Sequence, residues 1–523
     1  MRVAPTGRVD PGPQHYEPSS LISRTTLRTE DAIVEIRDGA PWDGGRPPNR
    51  VVRIVTVARG PVDLAVDVVP SGLWRPARDV STWSEGAAFD GTIVRTGLPM
   101  IAKPDGSIAG VAHLDTGDRL VVTLDTEPGQ DPLSPDRAAA LLDRTRGVWR
   151  RTIASAELSG PWADAAAASA IVLRALSTSP LGGLVSAPTT SLPDREGGEG
   201  TADGRVVSTV DVATWVDAAA GIGLFDEVAR GVAWLEARLD DDPPLPGVVG
   251  LDGAPPPSER QVAVRGWRRS EPVRLGVDPP SEPGPVATAS VLRAVAAVGH
   301  RAVGEPLLGR WPRLVAMTDW LVEHWADVDA GPWDLRVTFR PQAGRDLLVT
   351  DALRAMSALA RRRNPLDFDA PGWDAARVRV EAALLAAVDL GRGALGADAP
   401  DASVLQIAWR GPWPADDPVV AATVDTVGRR LAVGPWLYPY PPERGARAAS
   451  VLATLWWVRA MAALGRWDEA HLTMEAVATL AGPLGLLPQW VDPVSGAARG
   501  NRPYAAAHVA FIEAAAALGD QWR

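Results

Sequence analysis

The 523-residue chain contains no cysteine. That removes disulfides, cysteine zinc sites and thiol nucleophiles together. It has one lysine, Lys103, so Schiff-base chemistry has a single candidate. The histidines (His15, His113, His300, His324, His471 and His508) show neither HxxxH nor HExxH spacing, which argues against a histidine-built metal site. No metal and no cofactor are expected. No apolar run approaches the roughly eighteen residues that cross a bilayer, and the first twenty residues lack the apolar core of a secretory leader. A cytoplasmic chain without a membrane partner is expected. The formal net charge of −11 repels phosphate backbones, so nucleic acid is not an expected partner.

What is present reads as an ordinary globular composition, 46% hydrophobic and 22% charged, in a chain long enough for two or three domains. Residues 1–20 are polar and proline-rich and are expected to form a flexible tail. Over 21–130 the pattern is strand-like. DAIVEIRD, RVVRIVTVA, VDLAVDVVP and DRLVVTLDT alternate β-branched and polar residues at period two, between Gly, Pro and Asp turns. A partial β-sandwich is the natural architecture for such a set. Residues 131–155 then switch to a helical period and are expected to be a linker helix.

From 156 to 523 the apolar residues recur at i, i+3 and i+4 in about a dozen segments, among them TVDVATWVDAAAGIG, DLLVTDALRAMSALARRR and AAAHVAFIEAAAALG. Their hairpins return every fifty or sixty residues with irregular Trp-, Pro- and Gly-rich loops. Spacing of that size suits a solenoid or a closed ring. The irregular aromatic loops favour the ring. The expected fold class is therefore α+β and multidomain, an N-terminal partial β-sandwich followed by an all-α (α/α)6 toroid.

Within that frame one loop stands out. SAPTTSLPDREGG (186–198) resembles the AAPTTSLPE-IGG loop of glycoside hydrolase family 15, the glucoamylase and bacterial trehalase group. Further segments resemble the family in the same order: SERQVAVRGWRRSEPVRLG, GPWDLR, PADDPVVAATVDTV, LGRWDEA and GNRPYAAAHVAFIEAA. The resemblance runs from about residue 14 to the end. It implies inverting hydrolysis of α-glucosidic bonds, which needs two carboxyl groups about 6.5–9.5 Å apart, one protonating the leaving oxygen and one activating water.

The resemblance also implies site residues. The family's general acid, the glutamate of GIWExR, is matched by Asp334, one methylene shorter, with Trp333 and Arg336 beside it. As a bare residue, an aspartate in such a loop is equally a helix N-cap. The general base, the glutamate opening a GEGAFLLCSFWLV-like helix, falls on Arg447. A guanidinium stays protonated and cannot take a proton from water. Glu443 is the one surrogate in reach, or else a solvated acid near a helix start. Of the substrate-gripping RNWDYRYCWLRDA motif, Asp203, Arg205 and Asp211 keep charged positions, while its tryptophans become Ala202 and Ser208. Glu259 and Arg274 match a family glutamate and arginine. Trp267, Tyr504 and His508 complete the expected substrate-binding set. Asp211 reads equally well as a satisfied interior group, and a lone His508 on an Ala-rich helix is more often such a group than a catalyst.

Three functions remain open on these residues. The first is a catalytically impaired family member that binds a glucan or oligosaccharide or acts as a regulatory partner. The alternative is an active inverting α-glucosidic-bond hydrolase with Asp334 as acid and a relocated base. The third is a structural module whose pocket is filled by its own side chains. The partner in the first two is a small saccharide or glucan.

Overall fold

The computed structural model describes residues 1–45, 48–72, 75–77, 79–177, 182–277, 284–327, 342–364, 369–389, 391–396 and 400–519. Contacts divide the chain into two compact units, Met1–Ala154 and Ser155–Arg523.

The first unit opens with β1 (Arg2–Pro5), β2 (Asp10–Tyr16), β3 (Ser23–Arg28), β4 (Ile33–Gly39), β5 (Arg50–Arg59) and β6 (Val62–Val68). A short hairpin, β7 (Ser71–Gly72) with β8 (Arg75–Pro76), follows. Then come β9 (Ser81–Trp83), β10 (Gly86–Phe89), β11 (Thr92–Arg95), β12 (Ile101–Ala102), β13 (Ile108–Leu114) and β14 (Arg119–Asp125). Eight strands pair in the order β2-β3-β4-β5-β14-β11-β10-β9, and four in the order β1-β6-β13-β12. The two sheets share a core of Val34, Ile36, Val55 and Val57 against Val3, Leu64, Val66 and Ile108.

Strand β5 is buried on both faces. Val55 and Val57 enter that core, while Val52 and Ile54 turn the other way to meet Ala138 and Leu142 of α1 (Pro135–Thr152). Period-two side-chain alternation makes this double burial possible. The segment expected to be a linker helix is thus packed on a sheet of the first unit. The first twenty residues differ from the expected tail. Val3 and Ala4 are buried in the sandwich, β1 pairs with β6, and β2 pairs with β3 through a bulge between Pro11 and Gln14. Four residues of β1 are too few to show a period, and two prolines disguise β2.

The second unit contains α2 (Ala163–Leu176), α3 (Thr209–Gly221), α4 (Phe225–Arg238), α5 (Pro285–Val298), α6 (Glu305–Leu308) and α7 (Trp311–His324). It continues with α8 (Ala343–Arg363), α9 (Ala370–Ala386), α10 (Ile407–Arg410), α11 (Pro418–Leu431), α12 (Val451–Ala463), α13 (Trp467–Ala481) and α14 (Ala505–Gly519). A 3₁₀ turn, Ala402–Gln406, leads into α10. Helices α3, α5, α8, the Ala402–Arg410 segment, α12 and α14 touch in that order, and α14 returns to α3. This closes an inner ring. Helices α2, α4, α7, α9, α11 and α13 back it from outside, each against an inner neighbour. The patterns fit those places. On α11 one stripe is buried (Val420, Val424, Val427, Leu431), whereas α14 buries residues on nearly every side.

Polar side chains start these helices. Ser208, Ser450 and Asp417 accept backbone N–H groups at the N-termini of α3, α12 and α11. Short strand pairs fasten the loops: β15 (Val207–Ser208) with β16 (Val248–Val249), and β17 (Arg260–Val262) with β18 (Val273–Leu275). The remaining ones are β19 (Val388–Asp389) with β20 (Ala394–Leu395), and β21 (Ala432–Val433) with β22 (Trp436–Leu437). A three-stranded sheet joins β23 (Ala449–Ser450), β24 (Trp490–Val491) and β25 (Ala498–Arg499).

One charged cluster takes a member from every inner segment. Arg293 of α5 bonds Asp351 of α8 (3.0 Å) and lies 3.5 Å from Asp217 of α3. Arg410 of α10 also bonds Asp351 (3.1 Å), and Arg459 of α12 bonds Glu513 of α14 (2.9 Å).

Candidate functional site

The loops that precede the inner helices α3, α5, α12 and α14 meet at one end of the ring. The SAPTTSLPDREGG loop is their centre. It folds back on itself, with Ser186 N–H donating to the Val206 carbonyl (2.9 Å) and Ala187 N–H to the Gly204 carbonyl (2.8 Å). Bridges Thr190–Asp203 and Pro193–Gly200 continue the pairing. Neither glycine tolerates a side chain: a Cβ on Gly200 would stand 2.7 Å from the Pro272 carbonyl oxygen, and one on Gly204 2.7 Å from the Ala187 Cβ. Ser191 sits at φ 61, a left-handed conformation rare for serine. Its hydroxyl accepts from the Arg274 N–H (2.7 Å) and donates to the Arg274 carbonyl (3.1 Å). Thr190 donates to the same carbonyl (2.6 Å). The loop is thereby fixed to β18.

Its other flank is held by the segment before α14. Asn501 Nδ2 donates to the Ala202 carbonyl (2.9 Å), and its Oδ1 accepts from Thr189 (3.2 Å). Gly500 N–H reaches the Pro193 carbonyl (2.9 Å), and Ala505 N–H the Ser186 carbonyl (2.8 Å). Sequence reasoning had not singled out Asn501, although it stands inside the quoted GNRPY stretch. Its signal was a lone amide in a Gly/Pro turn.

Four of the expected binding residues come together here and bond one another. Arg205 grips Asp203 through Nε (2.9 Å) and Nη2 (2.8 Å), and Gly276 N–H adds a third bond to that carboxylate (3.0 Å). Burial alone would raise the Asp203 carboxyl, but these bonds hold it below the usual carboxylate range. Arg274 is buried. It bonds Glu259, donates to the Gly200 carbonyl (3.1 Å) and reaches Glu199 at 3.5 Å. Glu199 was not foreseen, since nothing in an EGGEG run marks which glutamate reaches the buried arginine from the exposed side.

Asp211 and His508 lie deeper. Asp211 accepts from Ser186 Oγ (3.0 Å), and burial pushes its carboxyl up to about 6. His508 has no exposed surface. Its Nε2 accepts the Leu487 N–H (3.1 Å), which leaves Nδ1 to carry the proton facing Ser169 Oγ (3.1 Å). Burial, with the Arg502 charge nearby, pushes the imidazole down to about 3, so it stays neutral. Tyr504 is half-buried, its N–H on the Leu487 carbonyl (2.9 Å). Trp267 is 43% exposed, with the Arg268 guanidinium 4.7 Å from its ring centre. That leaves an aromatic face at the rim of the kind that stacks on sugars.

Arg447 stands two residues before β23. It is exposed, and among the described residues no hydrogen bond or ion pair holds it. Glu443 is 68% exposed and lies 3.8 Å from Arg430 on the outer helix α11. Trp333, Asp334 and Arg336 fall outside the described residues.

A rim of charge borders the β23–β24–β25 sheet. Arg268 bonds Glu196 (3.0 Å). Arg499 approaches Asp492 at 3.5 Å and Glu196 at 4.0 Å, while its buried Nε has no partner. Among the described residues no group of three or more His, Asp or Glu side chains could hold a metal ion, and no helix is long and apolar enough to cross a membrane.

No protein-family model matches the chain. It is 26% identical over 563 residues to a trehalase of Mycolicibacterium smegmatis, covering 98% of this chain and 83% of that protein. It is likewise 26% identical over 566 residues to a trehalase of Mycobacterium tuberculosis, covering 98% and 82%. Among solved structures it is similar to a bacterial glucoamylase complexed with acarbose, with a TM-score of 0.68 at 13% identity over 98% of this chain and 85% of that one. The chain is thus similar to trehalases along its sequence and to a glucoamylase in fold, the six-hairpin glycosidase arrangement.

Proposed function

We propose that this trehalase- and glucoamylase-like chain binds a saccharide at the loop end of its helical ring and is impaired in hydrolysing it. The observation that carries the proposal is Arg447. At the position that resemblance assigns to the general base, a guanidinium stands exposed and unpaired. It cannot accept a proton from water, and its charge opposes an oxocarbenium-like transition state. General-base assistance is typically worth roughly 10²–10⁴-fold, so its loss alone would leave a slow enzyme.

The surrogate fares no better. Glu443 leans toward Arg430 of an outer helix and keeps most of its surface in solvent. The binding residues Asp203, Arg205, Glu259 and Arg274 are spent on each other, which supports a rigid frame around the mouth rather than a set of free donors for a sugar. Saccharide recognition then rests on the exposed Trp267 face and the groups around it. The glucoamylase of similar fold was solved in complex with acarbose, a saccharide-class ligand. A cysteine-free chain gains nothing from an oxidising compartment, which supports action in the cytoplasm.

Hydrolysis of trehalose, maltose and p-nitrophenyl-α-glucoside by the wild type tests this directly. The expected result is release at background level, with turnover appearing or rising when Arg447→Glu is combined with Asp334→Glu. Clear wild-type turnover that Asp334→Asn abolishes would instead establish an active hydrolase with a relocated base. A sugar panel read by thermal shift separates binder from structural module, because a ligand for the folded state raises apparent stability.

A further inference from the structure

The arginines around the mouth are unequally matched. Arg205 has Asp203, Arg274 has Glu259 and Glu199, Arg268 has Glu196, and Arg345 has Asp346. One is left over. Arg447 is exposed and nothing among the described residues pairs with it. Arg499 is only 8% exposed and already engaged, its Nη2 on Asp492 (3.5 Å) and 4.0 Å from Glu196 and its Nη1 on the Ala498 carbonyl (3.3 Å), so that only its buried Nε lacks an acceptor.

Both belong to one small platform. Ser450 of β23 faces Trp490 of β24, which faces Arg499 of β25, and Arg447 lies three residues ahead of Ser450. This platform adjoins the rim through Glu196, which Arg268 and Arg499 share. Arg268 in turn lies over the exposed Trp267 ring. An aromatic face and the unpaired Arg447 guanidinium thus lie on segments joined to the same rim. The surplus is local, since the chain as a whole carries −11.

We propose that the mouth takes an acidic saccharide, a sugar bearing a carboxylate or a phosphate, with Arg447 receiving the anionic group and Trp267 the sugar ring. This rests on the saccharide-binding reading above and narrows its ligand class. Guanidinium–oxyanion bonds are charge-assisted and can be bidentate. A neutral sugar leaves those donors to water. The same guanidinium that defeats a general base therefore becomes the selective contact.

The test is calorimetric titration of the full chain, at low and at moderate salt, with glucose, glucuronate, glucose 6-phosphate and inorganic phosphate. The acidic sugars should bind about tenfold more tightly than glucose, a preference that shrinks with salt. Arg447→Glu should erase that preference, and Arg447→Gln should reduce it. Because Arg447 is exposed, circular dichroism should show both variants folded. Glucose binding as tightly as the acidic sugars would overturn this inference and leave saccharide binding standing. Inorganic phosphate equalling glucose 6-phosphate would reduce the site to a bare anion site and overturn the sugar half. An acid-sugar preference that survives Arg447→Glu would overturn the assignment of Arg447. Absence of binding by every sugar would overturn both this inference and the reading beneath it.

Discussion

Asp211 and His508 are buried ionisable groups whose shifts bear on stability with opposite signs. The imidazole of His508, pushed down to about 3, binds a proton less readily when folded than when unfolded. Stability from this residue is intact above pH 6.5 and is lost as pH falls toward 3, at roughly 1 kcal/mol per unit. The Asp211 carboxyl, pushed up to about 6, is protonated more readily when folded. Its contribution is fully present below about pH 4 and declines as pH rises through 6. Between pH 4 and 6 the two trends offset. Asp211→Asn should therefore unmask a stability that climbs with pH across that window, and His508→Gln one that falls. Chemical denaturation at pH 4, 5 and 6 measures both slopes, and identical slopes in the two variants would refute the assignment. Ser191 supplies a second residue-scale test. Its hydroxyl serves both backbone groups of Arg274, while its φ of 61 costs energy for any residue with a Cβ. Ser191→Ala loses the bonds and keeps the strain, so it should lower stability by about 1–3 kcal/mol. Ser191→Gly loses the bonds but relieves the strain and should cost less, as denaturant midpoints will show.

At the scale of elements, the charged cluster of the inner ring sets the clearest expectation. Asp351 of α8 accepts from Arg293 of α5 and Arg410 of α10, so one carboxylate joins three inner segments. Asp351→Asn would take the carboxylate from the largely buried Arg410 and leave Arg293 only Asp217, at 3.5 Å. Breaking such a pair from one side costs about 3–5 kcal/mol. A lowered melting temperature is the expected result. Its partial recovery in Asp351→Asn with Arg410→Met would show that unpaired charge, rather than lost volume, is responsible. The elements themselves were largely visible in the sequence. Strands β4, β5, β6 and β14 follow the alternation of DAIVEIRD, RVVRIVTVA, VDLAVDVVP and DRLVVTLDT, and α3, α8 and α14 follow their apolar periods. Where the chain is short or punctuated by proline, as in β1 and β2, periodicity has nothing to act on. The site was legible as motifs and illegible as partnerships. That Asn501 would bond Thr189, 312 residues away, or that Glu199 would turn to Arg274, depends on how the ring closes. No local pattern carries that information. The sequence also pairs Asp203 with a substrate by resemblance, whereas in the fold its carboxylate is already occupied by Arg205 and the Gly276 amide.

For the whole molecule, the helical unit is a ring whose last helix meets its first inner one. Helix α14 packs on α2, α12 and α3, and Ala505 at its start bonds Ser186 in the mouth loop. About 300 residues separate the start of α3 from the start of α14. On a ribosome adding roughly 5–20 residues each second, that gap lasts about 15–60 s. Throughout it the flank of α3 that α14 will cover is bare, and the mouth loop lacks its Asn501 clasp. The ring can close only once α14 has left the exit tunnel. Birth order thus leaves an open seam beside α3 until α14, the most apolar of the described helices, has been made to shut it.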